Sequence, residues 1–248
     1  MMLKAGFRHI FVGIETSEEK SLLECGKTQN LKGDLMVSVK ELHAAGFMIS
    51  GGFIIGFDSD SPAVFQKQRD FIQQSGIVIA TINLLKAPIG TELYKRMKLE
   101  NRLLDSLNFN ENMINLVPEM DIEILYENYR DLINEIYSPL KVRERSQIFL
   151  DTFQNCRVKT HIQGKIKPAD FITLFKLIFL IGIFWRGRLQ FWKLLHWTHR
   201  KHPSHLRLAF LFGVLMYHYQ KLQKNFNILY NSRKFRAFIQ EIKVRQKG

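Results

Sequence analysis

Phe47-Met48-Ile49-Ser50-Gly51-Gly52-Phe53-Ile54-Ile55-Gly56-Phe57-Asp58 is an apolar run of strand length that carries three glycines. It is bounded by Gly46 on one side and by an acidic residue on the other, and reads as a buried strand. Glycine weakens a strand unless something must approach its backbone closely, so Gly51, Gly52 and Gly56 need a reason to be there. What flanks the run gives the fold.

On the amino-terminal side, residues 31–45 place Leu35, Val39 and Leu42 at helical spacing and end at Gly46, a good helix C-cap. Before that helix lies a second short apolar run, His9 to Ile14, with Glu15 at its end. Ser17-Glu18-Glu19-Lys20 then reads as a helix start, with Ser17 as the cap and acids in the first turn. On the carboxy-terminal side, Asp58 and Ser61-Pro62 open a helix bearing Phe65, Arg69 and Ile72, and Gly76 stands near its end. A third strand follows from Val78 to Leu85. Strand, helix, strand, helix, strand with short links predicts parallel βαβ units with right-handed crossovers. Ligands gather at the carboxyl ends of such strands. Glu15, Gly56, Asp58 and Lys86 fall there.

From Tyr94 onward the pattern is helical, with breaks around Pro118 and at Ser138-Pro139. Two very apolar stretches, Phe171 to Trp185 and Leu206 to Tyr219, read as buried helices. The first contains Lys176 and falls short of the ~20 residues that a bilayer core needs. Charge is uneven along the 248 residues, whose formal net charge is +13. From Asp151 onward there are 19 Lys/Arg against Asp151, Asp170 and Glu241, a balance of +16, which leaves −3 for residues 1–150. Basic surface of this kind serves nucleic acid, anionic lipid or an acidic partner. The two cysteines, Cys25 and Cys156, form no CxxC or CxxxCxxC spacing, so neither a disulfide framework nor a cysteine-held metal site is written here. The amino terminus has no apolar signal core, and a reducing cytoplasmic setting is the expectation.

Gly13-Ile14-Glu15-Thr16-Ser17 sets a carboxylate and hydroxyls at a strand end, where they can accept or donate hydrogen bonds to a ligand or simply open a solvated loop. Ile54 and Ile55 with Gly56 would make a flat wall suited to an adenine ring, or the glycines merely relieve crowding inside a barrel. His196, His199, His202 and His205 recur every third residue, yet Pro203 interrupts them and Arg200 and Lys201 repel cations, which favours a basic surface loop over a metal site. Trp185, Arg186, Arg188, Phe191 and Trp192 read as core aromatics with snorkelling arginines rather than a nucleic-acid surface.

The ordered series Gly13-Ile14-Glu15-Thr16-Ser17, Gly52-Phe53-Ile54-Ile55-Gly56-Phe57-Asp58-Ser59-Asp60 and Phe65 through Ile77 resembles the second half of a radical SAM barrel. It is most similar to the branch with an amino-terminal cobalamin-binding domain. The likeness continues through Ala87 to Tyr94, Leu99 to Leu103, Asn115 to Asp121, Tyr137-Ser138-Pro139 and Arg145. The remainder, with Gly182, Trp192, Pro203 and Ala209, resembles the uncharacterised helical domain that follows the barrel in that branch. The resemblance implies an α/β fold: a partial parallel (β/α) barrel over residues 1–105 and a mostly α-helical domain over 106–248, strongly basic after about residue 151. The three strands would be the fourth, fifth and sixth of the barrel. Glu15 and Ser17 would face the amino-acid or ribose part of S-adenosylmethionine, and Ile54, Gly56, Leu85 and Lys86 would border its adenine.

The family's first three strands, its CxxxCxxC loop and its glycine-rich second-strand motif are absent from these residues. With no third cysteine the chain cannot supply the thiolates of a 4Fe-4S cluster, and no ligand for cobalamin is expected in it either. The family's proline-glycine-threonine turn reads Ile89-Gly90-Thr91, and Asn101 stands where a glycine is usual. The reading is therefore an incomplete radical SAM protein, the product of a split or truncated gene or a recombinant fragment, inactive alone, whose partner would be a separate amino-terminal barrel half or cobalamin-binding domain. The rival reading is a non-catalytic basic module for a membrane surface or a protein, with nucleic acid disfavoured. On either reading, His9 to Ile14 is expected to form an unblunted sheet edge that recruits another strand.

Overall fold

The computed structural model describes residues 2–104, 113–153 and 176–247. Three strands, β1 (His9–Glu15), β2 (Met48–Ile55) and β3 (Ile79–Leu84), form a parallel sheet in the order β1-β2-β3. Between them run α1 (Glu19–Glu24), a 3₁₀ turn (Thr28–Leu31), α2 (Leu35–Ala44) and α3 (Ala63–Ser75). The alternation expected from the sequence is thus present, with two local corrections. The helix expected from residue 31 begins four residues later, because Asp34 accepts the amides of Met36 and Val37 and fixes the start. Ser17 does not cap α1: Glu18 holds that position without a side-chain bond, and the Ser17 hydroxyl is buried with no partner among the described residues.

Opposed residues of a parallel sheet share a face, and the register pairs Phe11 with Ser50, Gly13 with Gly52 with Thr81, and Ile54 with Asn83. On that face Phe11, Thr81 and Asn83 are exposed. The opposite face, with Ile14, Ile49, Phe53, Ile55, Ala80, Ile82 and Leu84, is buried in one apolar core that also takes in Val39, Phe65, Ile72 and Leu125. A parallel sheet that the described residues cover on one face only departs from the usual arrangement, in which both faces are packed. The glycine question resolves here. A Cβ on Gly51 would lie 2.7 Å from the Phe53 ring, and one on Gly52 would lie 2.8 Å from the Phe11 ring, so both glycines relieve crowding. Gly56 is different: its φ of +102° is a conformation that side chains disfavour.

After β3 come α4 (Glu92–Leu99), α5 (Ile122–Ile136) and α6 (Pro139–Thr152), then a helical segment ending in a π-turn (Leu180–Phe184), α7 (Arg188–Lys201), a 3₁₀ turn (Pro203–His205), α8 (Leu206–Tyr230) and α9 (Arg233–Lys247). The expected break at Ser138-Pro139 separates α5 from α6, and the Ser138 hydroxyl caps the second helix. Asn101, at the usual glycine position, has φ +55°, which asparagine tolerates better than most residues. Thr91 caps α4 after Gly90 at φ +89°, so the shifted turn still starts its helix.

The outer edge of β3 is closed by tyrosines. Tyr219 of α8, Tyr137 at the end of α5 and Tyr129 of α5 donate their hydroxyls to the carbonyls of Val78, Ala80 and Ile82, at 3.3, 2.9 and 2.9 Å. These are alternate residues, Val78 just before β3 and Ala80 and Ile82 within it, so the helices occupy the acceptors that a fourth strand would take. Burial raises the pKa of all three phenols, which keeps them donors. Tyr137 and Tyr219 stack with ring centroids 4.5 Å apart. Arg145, wholly buried nearby, donates to the Ile136 carbonyl at the end of α5 at 2.7 Å, and burial lowers its pKa to about 10.

The later helices bring two corrections. The expected histidine loop is instead a helix and a packed corner. His196 and His199 are exposed on α7, His202 bonds Asp151 at 2.8 Å, and His205 is buried beside Phe153. Residues 171–175 lie outside the described residues, and the rest of the stretch expected to be a buried helix, 176–185, buries Ile181, Gly182 and Trp185 but exposes Phe179, Leu180, Ile183 and Phe184.

Candidate functional site at the strand ends

A cavity of about 560 Å³ opens at the carboxyl ends of the strands. Ile54, Phe57, Leu85 and Leu93 form its apolar wall, and Glu15 with Lys27 and Glu24 with Arg96 form its charged rim. A larger groove of about 940 Å³ lies among the helices, but its amides are spent on the fold: Gln223 donates to the carbonyls of Ile133 and Asn134, and Asn227 to Asn134. The strand-end cavity has the better constitution for a small molecule, an apolar lining with few convergent polar groups.

Glu15 is held in an unusual conformation. Its φ is +67°, the β1–β2 register shifts between Gly13 and Glu15, and the Thr16 amide returns to the Ile14 carbonyl at 3.0 Å. A three-residue turn with positive φ at its centre is rare and strained, and such strain persists only where surroundings over-determine it. Two amide side chains do so. Gln68, fully buried on α3, donates to the Glu15 carbonyl and accepts from the Ser17 amide, both at 3.2 Å. Asn30 donates to the Ile14 carbonyl at 3.1 Å. The outcome is a carboxylate turned to the cavity, 3.2 Å from Lys27.

The loop after β2 is equally well held. Asp60 accepts the amides of Gly56 and Phe57 at 2.8 and 3.1 Å and the Ser21 hydroxyl at 2.6 Å. Burial raises the Asp60 pKa, and those three donors oppose the rise. Asp58 receives a two-pronged bond from Arg102 at 2.6 and 3.0 Å and a third from Arg96 at 2.9 Å. Burial works against the Arg102 charge, but the adjacent Asp58 carboxylate outweighs it and the pKa is raised. Glu24 bonds the amides of Asp58 and Ser59 as well as Arg96. After β3, Asn115 bonds Ala87 through both its carbonyl and its amide, at 2.9 and 2.7 Å, which fixes the segment behind Leu85. Cys25 also lines the cavity, and burial pushes its thiol pKa up, with the charge of Glu15 adding to the effect. A protonated thiol is a poor metal ligand.

Of the six residues named from the sequence, Glu15, Ile54 and Leu85 meet in this cavity. Ser17 instead lines a separate hollow of about 350 Å³ with Asn30, Asp34 and Phe71. Gly56 lies behind the wall, its amide engaged by Asp60 and its backbone close to Leu85 and Leu125. Lys86 follows Leu85, half-buried, and is not among the residues that line the cavity. Sequence reasoning missed Gln68, Asn30, Asp60 and Lys27. Gln68 alone carried a signal, a polar residue on the Phe65–Ile72 face that should be apolar.

Comparison with known proteins gives the family of the chain. The chain is 35% identical over 142 residues to an uncharacterized methyltransferase of Synechocystis sp., covering 56% of this chain and 26% of that protein. It is 29% identical over 197 residues to the hopanoid C-2 methylase of Rhodopseudomonas palustris, covering 78% and 37%. It is 30% identical over 145 residues to the bacteriochlorophyllide d C-12(1)-methyltransferase of Chlorobaculum tepidum, covering 58% and 32%. The chain thus spans about a quarter to somewhat over a third of the length of these curated relatives. No solved structure gives a significant match. Residues 91–228, from the cap of α4 almost to the end of α8, match a family description over more than half the chain, and the protein belongs to that family, Domain of unknown function (DUF4070), found as the C-terminal part of radical SAM proteins.

Proposed function

We infer that this chain contributes one wall of an S-adenosylmethionine site to a radical SAM enzyme that methylates carbon. The observation that carries the reading is Glu15, strained, clamped and aimed into an apolar cavity at the ends of parallel strands. The residues present fit such a molecule: Ile54, Leu85 and Phe57 would face its ring, and Glu15 and Glu24 would accept from its amino and hydroxyl groups. Bound beside a reduced cluster, S-adenosylmethionine would supply the radical; the methyl of that same molecule stays on methionine, so the transferred methyl would come from a further donor molecule. This chain's share is to bind and orient: Gln68 and Asn30 hold the Glu15 carboxylate in place, and the Asp58–Arg102 pair holds the loop that carries Phe57.

The residues do not fit a 4Fe-4S cluster. The chain has two cysteines; Cys25 has its thiol pKa raised, and Cys156 lies outside the described residues. On our reading the cluster thiolates and any cobalamin are held by other residues, in the reducing setting of the cytoplasm, and the uncovered sheet face is where they approach. The exposed side chains Phe11, Thr81 and Asn83 support this, since a lone parallel sheet would otherwise bury that face.

Isothermal titration calorimetry of the chain with S-adenosylmethionine tests the reading. Weak binding that is lost in Glu15→Ala and in Leu85→Asp is the expected result. Tight binding indifferent to Glu15→Ala would remove both the site and the role of Glu15.

A further inference from the structure

We propose that the π-turn and the first half of α7 form a surface that inserts into the headgroup region of an anionic bilayer. The inference goes beyond the strand-end site and does not depend on it.

Phe179, Leu180, Ile183, Phe184, Leu189 and Trp192 are all exposed, Phe184 and Leu189 to 66% each. They form one ridge rather than scattered surface residues. The Phe179 and Phe184 rings meet edge to face at 5.0 Å. Trp192 donates its indole N–H to the Gly182 carbonyl at 2.9 Å, tying α7 to the turn, and a Cβ on Gly182 would lie 2.9 Å from that indole ring. Leu189 sits one helical turn before Trp192, on the same face. The base of the ridge is rigid. The Trp185 amide closes the π-turn onto the Leu180 carbonyl, and its buried indole donates to Gln220 at 2.5 Å.

The charges select the occupant. From Lys176 to Arg200 the sequence holds five Lys/Arg (Lys176, Arg186, Arg188, Lys193 and Arg200) and no Asp or Glu, and all five are exposed. The nearest ion pairs, Lys201 and His202 with Asp151, lie at the far end of α7. A protein interface of this size would exclude charge from its centre. Nucleic acid would use the cations and aromatics but not Leu180, Ile183 and Leu189, for which it offers no apolar partner. A bilayer interface takes both: aromatic and aliphatic groups enter the acyl boundary while Lys and Arg reach anionic headgroups. Among the described residues no helix is long and apolar enough to cross a membrane, so contact by this ridge would be interfacial.

Vesicle flotation of the full chain tests this, because aggregates sink while vesicle-bound protein rises. The chain should float with phosphatidylcholine vesicles containing phosphatidylglycerol, fail to float with phosphatidylcholine alone, and shift its tryptophan emission to the blue as Trp192 enters the interface. Phe184→Ser should weaken the apparent affinity roughly tenfold, and the double variant Arg188→Glu/Lys193→Glu on the order of 25-fold or more. Both substitutions are at exposed positions, and an unchanged circular dichroism melt confirms the fold. Lys32→Glu/Lys40→Glu makes the same change of charge elsewhere and should leave binding intact. Four outcomes overturn the proposal: no flotation, flotation indifferent to Phe184→Ser, equal loss in the Lys32/Lys40 control, or a Phe184→Ser effect confined to the chain's own oligomeric state.

Discussion

Replacing Gln68 by leucine isolates what the clamp around Glu15 contributes. Leucine fills nearly the same volume, so no large cavity opens and the loss is almost purely of hydrogen bonds. Two partly buried groups lose their partner, the Glu15 carbonyl and the Ser17 amide, each now bonded at 3.2 Å. An unsatisfied buried donor or acceptor costs about 1–3 kcal/mol. The two are adjacent and part of the strained turn can relax, so the sum should be about 2–4 kcal/mol. With a urea dependence of about 2–3 kcal/mol per molar, the unfolding midpoint should fall by roughly 1 M. Urea denaturation followed by circular dichroism measures the midpoint, and calorimetry with S-adenosylmethionine, on protein that remains folded, measures the second consequence, a loss of affinity as Glu15 leaves its turn. A midpoint within about 0.2 M of the parent chain would refute the reasoning: the turn at Glu15 would then be held by something other than Gln68.

Glu15→Gly should show stability and binding moving in opposite directions, because glycine accepts φ +67° freely while the carboxylate is lost. The variant should melt no lower than the parent, with S-adenosylmethionine affinity reduced. Tyr129→Phe and Tyr137→Phe should each cost about 1 kcal/mol by chemical denaturation, since each strips a donor from a β3 carbonyl. His43 is buried against Phe149 without a hydrogen bond among the described residues, and burial lowers its pKa to about 4. The unfolded chain therefore binds the proton that the folded chain refuses between about pH 6.5 and 4, and stability should fall by about 1.4 kcal/mol per pH unit across that window as pH drops. His43→Phe should flatten that slope in denaturation curves at successive pH values. Anaerobic reconstitution with iron and sulfide should give no cluster absorbance that survives desalting, and a stable signal removed by Cys25→Ser would overturn that expectation.

The sheet was legible in the sequence because β1 and β2 are short apolar runs ended by an acid and a glycine, β3 is a third run of strand length, and the helices between carry apolar spacing. The cavity wall followed from the same pattern, since Ile54 lies next to the last residue of β2 and Leu85 directly after β3. What holds the site was not legible. Gln68, Asn30 and Asp60 act across 53, 16 and 4 residues on backbone atoms, and a backbone partner leaves no mark on the sequence. The faces of the later helices were misjudged for a related reason. Phe179 to Trp185 is uniformly apolar, and uniform apolarity cannot say which side of a π-turn faces the core. The tyrosine ladder spans up to 141 residues between donor and acceptor, a distance over which spacing carries no information.

That ladder also gives the sheet a polarity of growth. With the carbonyls of Val78, Ala80 and Ile82 occupied, the edge left for an added strand among the described residues is that of β1. A sheet with two open edges can pass pairing from molecule to molecule and lengthen without limit. One open edge cannot: once two copies meet edge to edge, neither has another to offer, and the contact is isologous and closed. The tyrosines thus set the stoichiometry of any strand exchange in advance, at one added strand or one partner per chain, and make an open fibre built from this sheet the assembly it is least able to form.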